Sequence, residues 1–379
     1  MAGVYIHIPF CKQACHYCDF HFSTNTKLKD DLLGGLKKEM ALRQKETQGW
    51  EMNTLYFGGG TPTILAAAEL QDLIETAQKL YGFQEDTEIT VEANPDDLTP
   101  EYLKHLSAET GVNRLSLGVQ SFVEEELRWM NRAHNSQEAW EAVTAAYRYF
   151  PNLSIDLIYG IPGQSDASWE AGIDRVLELG IPHLSSYALT VEPQTALRHF
   201  IDKGKAKAPD EEQARRQFYR LVDKMQEAGY DHYEISNFGK PGWYSRNNSA
   251  YWQGKPYLGI GPGAHSFDGP RRGWNVRSNP KYIKALKAGT LPIEWEELTT
   301  RDQFNEYLMT RLRTQWGADL EYIRQQFGPT YADYLEEQVV PHIESRLLYW
   351  DGDRLLTTRE GKYLVDGLAA DLFLVNLTD

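Results

Sequence analysis

Apolar and polar residues alternate in blocks along the first 190 residues, where one pattern repeats: a short apolar run rich in β-branched residues, a loop marked by Gly or Pro, and a longer helix-like stretch. The apolar runs predict six strands, at 4–8, 54–57, 88–91, 114–117, 154–158 and 183–189. The longer stretches predict helices near 28–45, 66–81, 100–108, 136–149 and 167–179. Because parallel strands need a long crossover, which is usually a helix, the pattern predicts an α/β fold with an open, partial barrel of six parallel strands. Chemistry is expected at the C-terminal ends of those strands.

The pattern changes after about residue 200. A charged helix-like stretch at 210–228 leads into 230–279, where dense Gly, Pro, Asn and aromatic residues predict loops over a site and no regular layer. Helix-like stretches near 300–313, 319–327 and 330–345 precede two apolar runs that flank the hairpin signal Asp351-Gly352. We therefore expect three units: a partial barrel over 1–200, a loop-rich region covering the barrel mouth over 201–290, and a small, mainly helical, winged-helix-like domain over 291–379.

The charge balance of this chain of 379 residues limits the classes of partner that it can bind. Lys and Arg total 39 against 54 Asp and Glu, a net charge of −15, which disfavours nucleic acid or an anionic membrane surface as the main partner. No apolar run approaches the roughly 18 residues of a membrane span, and the first residues lack the features of a signal peptide. We expect a cytoplasmic protein without a nucleic-acid partner or a membrane span, and leave peripheral membrane contact open.

All three cysteines, Cys11, Cys15 and Cys18, lie in one segment after the first predicted strand. An odd, clustered set does not suit a disulfide framework. Three thiolates on one loop can hold three irons of a cubane cluster and leave the fourth iron open to a small molecule with an amine and a carboxylate. The alternative is a zinc site with His16 or His21 as the fourth ligand. The single loop, without a second cysteine pair, favours the cluster.

This cysteine spacing resembles the radical S-adenosylmethionine (SAM) superfamily. Further segments resemble the family of oxygen-independent coproporphyrinogen III oxidase, at 5–11, 18–20, 56–62, 92–95, 118–122, 131–134 and 156–164. These blocks fall near predicted strand ends, and the resemblance extends to about residue 265 and more weakly beyond it. It implies a radical SAM partial barrel that carries a [4Fe–4S] cluster on the three cysteines and SAM on the open iron.

The resemblance also implies which residues hold SAM. Gly58, Gly59 and Gly60, in one loop with Thr61, would approach its methionyl end, Glu92 would meet its ammonium, and Arg132 would pair with its carboxylate. Gln120 and Asp156 would bind the ribose hydroxyls, and Tyr5, Tyr17 and Ala188 would lie beside the cluster and the adenine. Taken singly, the glycines are also typical of a tight turn, and Arg132 or Asp156 of an ion pair. No residue is assigned as catalytic.

Two departures separate the chain from the oxidase itself. Phe20 stands where the oxidase has a fourth cysteine, and only ten residues precede Cys11, where the oxidase has a long extension. Both features resemble the haem-chaperone branch of the family, which binds haem and hands it to respiratory acceptors. A third departure concerns that branch, because Asn247 replaces the histidine of its motif His-Asn-x-x-Tyr-Trp.

An Asn carboxamide is a poor haem ligand and every thiol is assigned to the cluster, so the haem ligand must lie elsewhere. The candidates are His265, His232 and the tyrosines around Trp252, and we expect it at His265 first. Tyr251 and Trp252 are ring-stacking candidates, although these aromatics could equally pack a layer against the barrel. The resulting hypothesis is a chaperone that binds the cluster, SAM and haem and passes haem to an unidentified acceptor protein. The alternatives are a coproporphyrinogen oxidase, whose activity we do not expect, another SAM-dependent radical enzyme, or a zinc-stabilised binding protein.

Overall fold

Six parallel strands form the centre of the molecule in the computed structural model, which describes residues 2–375. Met1 and 376–379, at the ends of the predicted units, lie outside the described residues. The strands are β1 (Ala2–Ile8), β2 (Met52–Gly59), β3 (Glu88–Ala93), β4 (Arg114–Gln120), β5 (Leu153–Tyr159) and β6 (His183–Ala188). They pair in chain order, each parallel to the next, which confirms the predicted partial barrel.

Helices connect these strands and cover one face of the sheet. They are α1 (Lys29–Leu42), α2 (Ala67–Tyr81), α3 (Pro100–Glu109), α4 (Glu124–Met130), α5 (Ser136–Tyr149), α6 (Asp166–Glu178), α7 (Ala196–Asp202) and α8 (Glu211–Glu227). Their local signals are plain in α2, where the Glu69 carboxylate accepts from the Ala66 N–H at the start and Gly82, at φ +67°, ends the helix. Of these eight helices, the sequence missed α4 and α7, which have seven residues each.

The two faces of the barrel strands differ in polarity. Along β1, Val4, Ile6 and Ile8 are fully buried in the main hydrophobic core, and the alternate residues Tyr5 and His7 point to the opposite, concave face. The same alternation places polar side chains on the concave face of β3 to β6, namely Thr90, Glu92, Ser116, Asp156, Ser185 and Tyr187. The barrel is therefore apolar toward its helices and polar toward its interior.

The prediction of loops over 230–279 is wrong. This region supplies β7 (Asp231–Glu234), β8 (Asn237–Gly239), α9 (Arg246–Trp252), β9 (Tyr257–Ile260), β10 (His265–Phe267) and β11 (Arg271–Asn275), followed by α10 (Asn279–Lys287) and β12 (Ile293–Glu297). The sheet order is β12-β11-β10-β9-β1-β2-β3-β4-β5-β6-β8-β7, so these short strands extend the barrel sheet at both edges. These short strands are stabilised by backbone hydrogen bonds to the edge strands of the barrel sheet. No local apolar run in the sequence predicts such pairing.

A second hydrophobic core, running from Phe304 to Leu374, lies in the C-terminal part of the chain. Its elements are α11 (Thr300–Leu312), β13 (Ala318–Asp319), α12 (Leu320–Gln326), α13 (Pro329–Gln338), α14 (Val340–Glu344), β14 (Leu348–Asp351), β15 (Arg354–Thr357), α15 (Arg359–Tyr363) and α16 (Val365–Asp371). The Asp-Gly signal forms the predicted hairpin β14–β15, with Gly352 at φ +58°. Because β12 belongs to the barrel sheet, this unit begins a few residues after the predicted boundary at 291. Across 2–375, none of the helices has the length and apolar character needed to cross a bilayer.

Candidate functional site

The three cysteines lie on a closed loop at the C-terminal end of β1. The backbone N–H of Cys11 donates to the carbonyl of Ser23 (3.1 Å), and that of Ser23 donates to Pro9 (2.9 Å), so the two ends of the loop are fastened together. All three thiols are free and half-buried. Burial raises the pKa of Cys11 and of Cys18 to about 11, so both would stay protonated at neutral pH unless a cation bound their sulfur. This donor set fits an iron–sulfur cluster.

Arg132 reaches the cysteine loop from the end of α4. Its Nη1 donates to Cys15 Sγ (3.4 Å), and its Nη2 donates to Asn94 Oδ1 (2.6 Å) and to the carbonyl of Gly118 (2.7 Å). The Nε atom is buried without a partner, and within 2–375 no carboxylate forms an ion pair with this guanidinium. A buried cation of this kind, short of acceptors, fits the carboxylate of SAM.

The glycine-rich loop after β2 packs too closely for side chains. A Cβ at Gly58 would lie 2.8 Å from Glu92 Oε1, and one at Gly60 would lie 2.5 Å from the carbonyl of Phe10. Gly59 adopts φ +105°, and its N–H donates to Glu92 Oε2 (3.1 Å). The glycines therefore build a tight turn, the alternative considered for them above, and that turn also holds Glu92 at the barrel mouth.

Glu92 is a carboxyl group without a positive partner among the described residues. Tyr56 OH donates to its Oε1 (2.9 Å), which leaves its charge only partly compensated. Burial, with the negative charge of Asp156 adding to it, raises the pKa of Glu92 to about 7. A cation beside this group would restore its ionised form, so the site fits the SAM ammonium.

Gln120 and Asp156 lie on the neighbouring strands β4 and β5, where Asp156 pairs with Gly118. Gln120 adopts φ +66° at an irregularity in the β4–β5 pairing, and a Cβ on Gly118 would lie 2.9 Å from its Nε2. Ser116 Oγ donates to both carboxylate oxygens of Asp156 (3.2 and 3.3 Å), and burial raises the pKa of Asp156. The pair therefore presents an amide and a carboxylate at one place, as ribose recognition requires.

The remaining predicted residues line the same mouth. Thr61 Oγ1 donates to Cys11 Sγ (3.6 Å), and Tyr5 OH lies 3.1 Å from His7 Nδ1. Tyr17 packs beside α4, and Ala188 ends β6 opposite Tyr159. The cysteine loop, the glycine loop and the predicted SAM residues thus meet at the C-terminal ends of the strands.

Sequence reasoning assigned no role to two residues of this mouth. Asn94 bridges Thr61 and Arg132, because its Nδ2 donates to Thr61 Oγ1 (2.8 Å) and its Oδ1 accepts from Arg132 Nη2 (2.6 Å). Tyr187 is 44% exposed on the concave face of β6. Asn94 lies two residues after Glu92 and Tyr187 two residues after Ser185, so the period of two along the strands was the signal that could have found both.

The two histidines of the zinc alternative are held by other parts of the chain. His16 Nδ1 lies 2.9 Å from the carbonyl of Trp129, and its ring meets the edge of Phe200. His21 Nε2 lies 2.8 Å from Asn279 Oδ1. In the described part of the chain, no three His, Cys, Asp or Glu side chains converge on the position of one metal ion. In this arrangement, neither histidine ring joins the cysteines as the fourth ligand of a zinc ion.

A row of aromatic rings extends from the barrel over β9, β10 and β11. We call Tyr251, Tyr257, His265, Phe267 and Trp274 the aromatic face. Ring centroids lie 5.6 Å apart for Tyr251–Tyr257, 6.2 Å for Tyr257–Phe267 and 6.4 Å for His265–Trp274. The register pairs Phe267 with Tyr257 and His265 with Trp274, so these side chains share one side of the sheet, and all are exposed or half-buried.

The predicted haem residues are only partly brought together. Trp252 contacts Tyr251 edge to face, with centroids 5.1 Å apart, whereas His265 lies farther along the aromatic face. Asn247 is placed elsewhere, at the N-terminal ends of the strands, where its Oδ1 accepts from Thr54 Oγ1 (3.2 Å) and its N–H donates to Glu88 (3.2 Å). The helix α9 therefore closes the end of the barrel opposite the cysteine loop.

Comparisons with known proteins agree with this geometry. Residues 5–176 match the family model of the radical SAM superfamily, which defines the class, and 298–364 match the HemN C-terminal domain. Several relatives are named heme chaperone HemW: for example, that of Bacillus subtilis is 35% identical over 96% of this chain and 97% of its own, and that of Escherichia coli is 31% identical over 98% of each. The chain belongs to the HemW family of radical SAM proteins.

A solved structure is similar over nearly the whole chain. It is the coproporphyrinogen III oxidase HemN of Escherichia coli, described as a radical SAM enzyme, which superposes with a TM-score of 0.84 at 26% identity and covers 98% of this chain and 90% of its own. This likeness confirms the α/β barrel with its C-terminal helical unit. Membership of the superfamily implies a [4Fe–4S] cluster and SAM, as the sequence predicted.

Proposed function

We propose that this chain is a haem chaperone that carries a [4Fe–4S] cluster and SAM at the barrel mouth, binds haem on the aromatic face, and passes haem to an acceptor protein. Its relatives named heme chaperone HemW support this over the oxidase. The observation that carries the proposal is the aromatic face itself, because a surface of accessible rings beside a histidine suits a flat, apolar macrocycle that must later leave.

At the barrel mouth the chain's own residues bind and orient. Cys11, Cys15 and Cys18 would hold the cluster, and Arg132 and Glu92 would fix the carboxylate and ammonium of SAM between them. Gln120 and Asp156 would position the ribose. When bound, cluster and SAM supply one-electron chemistry.

The haem site would use His265 as the iron ligand, since neutral imidazole is a common axial ligand of haem. Burial, and then the charges of Arg272 and Arg277, lower the pKa of His265, which keeps the ring neutral and able to bind iron. Coproporphyrinogen oxidation is not part of this proposal, because Phe20, 71% exposed beside the cluster loop, stands at the place of the oxidase's fourth cysteine.

The proposal is tested by titrating anaerobically reconstituted protein with haem and then adding apomyoglobin as an acceptor probe. We expect binding, a Soret shift, and transfer. Tyr251→Ala is compared with Tyr349→Ala, which removes an equally exposed tyrosine (44% each) from the C-terminal hairpin. Loss of one stacking ring is expected to weaken haem binding by about fivefold in the first variant only. Consumption of coproporphyrinogen III without haem binding would favour the oxidase instead.

A further inference from the structure

Arg277 lies between the cysteine loop and the aromatic face, on the turn that follows β11. Its Nη2 donates to the backbone carbonyl of Asp19, next to Cys18 (2.9 Å). Its stem runs past Gly263, where a Cβ would lie 3.3 Å from Arg277 Cγ, so the glycine leaves room for the side chain. The side chain is exposed, and its charge reaches both His7 and His265.

The arginines around the aromatic face differ in their partners. Arg271 pairs with Asp268 (2.6 Å) and Arg272 pairs with Glu306 (2.7 Å). Arg277 has no carboxylate partner among residues 2–375, and its Nη2 donates to the neutral carbonyl of Asp19. An exposed guanidinium with unused donors, in a chain of net charge −15, is a local site for an anionic group.

We propose that Arg277 binds a propionate carboxylate of the haem that occupies the aromatic face, so that this chain recognises the acidic edge of the macrocycle as well as its ring. The inference rests on the proposed haem-binding function and deepens it. Haem carries two carboxylates on one edge, and a guanidinium can hold one of them through two parallel hydrogen bonds. A charged carboxylate competes well against the Asp19 carbonyl because charge-assisted bonds are stronger than neutral ones.

The geometry gives this contact a direction. With the iron at His265, the ring would lie against Trp274 and Phe267, and its acidic edge would point to the turn that carries Arg277. The opposite, apolar edge would then lie toward Tyr257 and Tyr251. The apolar ring of haem would then contact the aromatic face, and its acidic edge would contact the positive charge of Arg277.

The test compares two ligands, ferric haem and its dimethyl ester, in which both carboxylates are blocked. We expect wild-type protein to bind haem about tenfold more tightly than the ester, and Arg277→Gln to lose that preference by weakening haem alone. Arg271→Gln is the matched control, since Arg271 is already paired with Asp268 and lies over Trp295. It is expected to keep the wild-type preference.

The outcomes separate the inference from the function it rests on. If wild type and Arg277→Gln prefer haem over the ester equally, the propionate contact is wrong while haem binding stands. If wild type binds neither ligand, the haem site itself is refuted. Should Arg277→Gln fail to fold, Arg277→Lys keeps the charge without the two-pronged geometry and is expected to show a reduced preference, whereas an unchanged preference would count against the inference.

Discussion

Arg132 and Glu92 are opposite charges at the barrel mouth that do not pair with each other. Each lacks an oppositely charged partner among the described residues, and each is held by neutral donors or acceptors, Asn94 for the first and Tyr56 for the second. Such an arrangement costs free energy in the empty site and favours a ligand that carries both charges, as an amino acid group does.

Removing the guanidinium is expected to weaken SAM. Arg132→Ala deletes a charge-assisted pair worth about 2 kcal/mol, or roughly thirtyfold in affinity. Arg128→Ala is the control, because Arg128 lies on α4, four residues before Arg132, but is exposed and pairs with Glu124 (3.1 Å). Calorimetry on cluster-loaded protein measures both, and equal SAM affinity in wild type and Arg132→Ala would remove Arg132 from the site.

The pKa of Glu92 predicts how SAM affinity depends on pH. Since burial raises that pKa to about 7, the carboxyl is largely neutral below pH 7 and ionised above it. The ionised carboxylate accepts hydrogen bonds from the SAM amino group more strongly than the neutral carboxyl does, so we expect affinity to rise as the pH increases from 6 to 8. Glu92→Gln should bind SAM more weakly and flatten this dependence. An unchanged slope in that variant would assign the titration to another group.

Variants of His265 and of Asn247 test which residue is the haem ligand. Asn247 is bonded to Thr54 and Glu88 at the far end of the barrel, so Asn247→Ala is expected to leave haem affinity nearly unchanged. His265→Ala is expected to shift the Soret band or lower the affinity, because it removes the iron ligand. A strong gain in affinity in Asn247→His, together with no effect of His265→Ala, would show that the ligand assignment is wrong.

At the scale of elements, the cysteine loop is fastened by backbone hydrogen bonds of Pro9, Cys11 and Ser23. Changing any one cysteine to Ser is therefore expected to abolish the cluster and leave the far-ultraviolet circular dichroism unchanged. The wild-type protein, purified anaerobically, should be brown and carry about four irons per chain. Stoichiometric zinc without acid-labile sulfide would contradict the cluster.

The elements also explain what the sequence could predict. The six barrel strands are buried between the helices and the polar interior of the barrel. Their apolar runs are therefore long enough to be recognised as strands in the sequence, as in 153–159. The strands β9 and β10 have four and three residues and are bounded by Pro256, Gly261 and Gly269, which are typical of loops. Only their pairing with β1, with β11 and with each other makes them strands, and that is information about distant parts of the chain.

At the scale of the whole molecule, the sequence predicted the mouth of the barrel better than the aromatic face. The cysteines, glycines and Arg132 lie in short motifs near strand ends, so their convergence follows from the parallel sheet. The aromatic face joins α9, β9, β10 and β11, and its continuity depends on the antiparallel register of Tyr257 with Phe267. Single motifs do not encode that register.

The position of β1 in the sheet determines whether the barrel can be separated from the rest of the protein. It pairs with β2 on one side and with β9 on the other, and its residues Val4, Ile6 and Ile8 are fully buried. A fragment of residues 1–200 would turn β1 into an open edge with unpaired backbone groups and an uncovered apolar side. We expect that fragment to aggregate on expression, whereas a monodisperse fragment in size-exclusion chromatography would show that the barrel is independent. The radical SAM half is thus not a removable module, because the strand that leads to its cysteines is completed by residues more than 240 positions later.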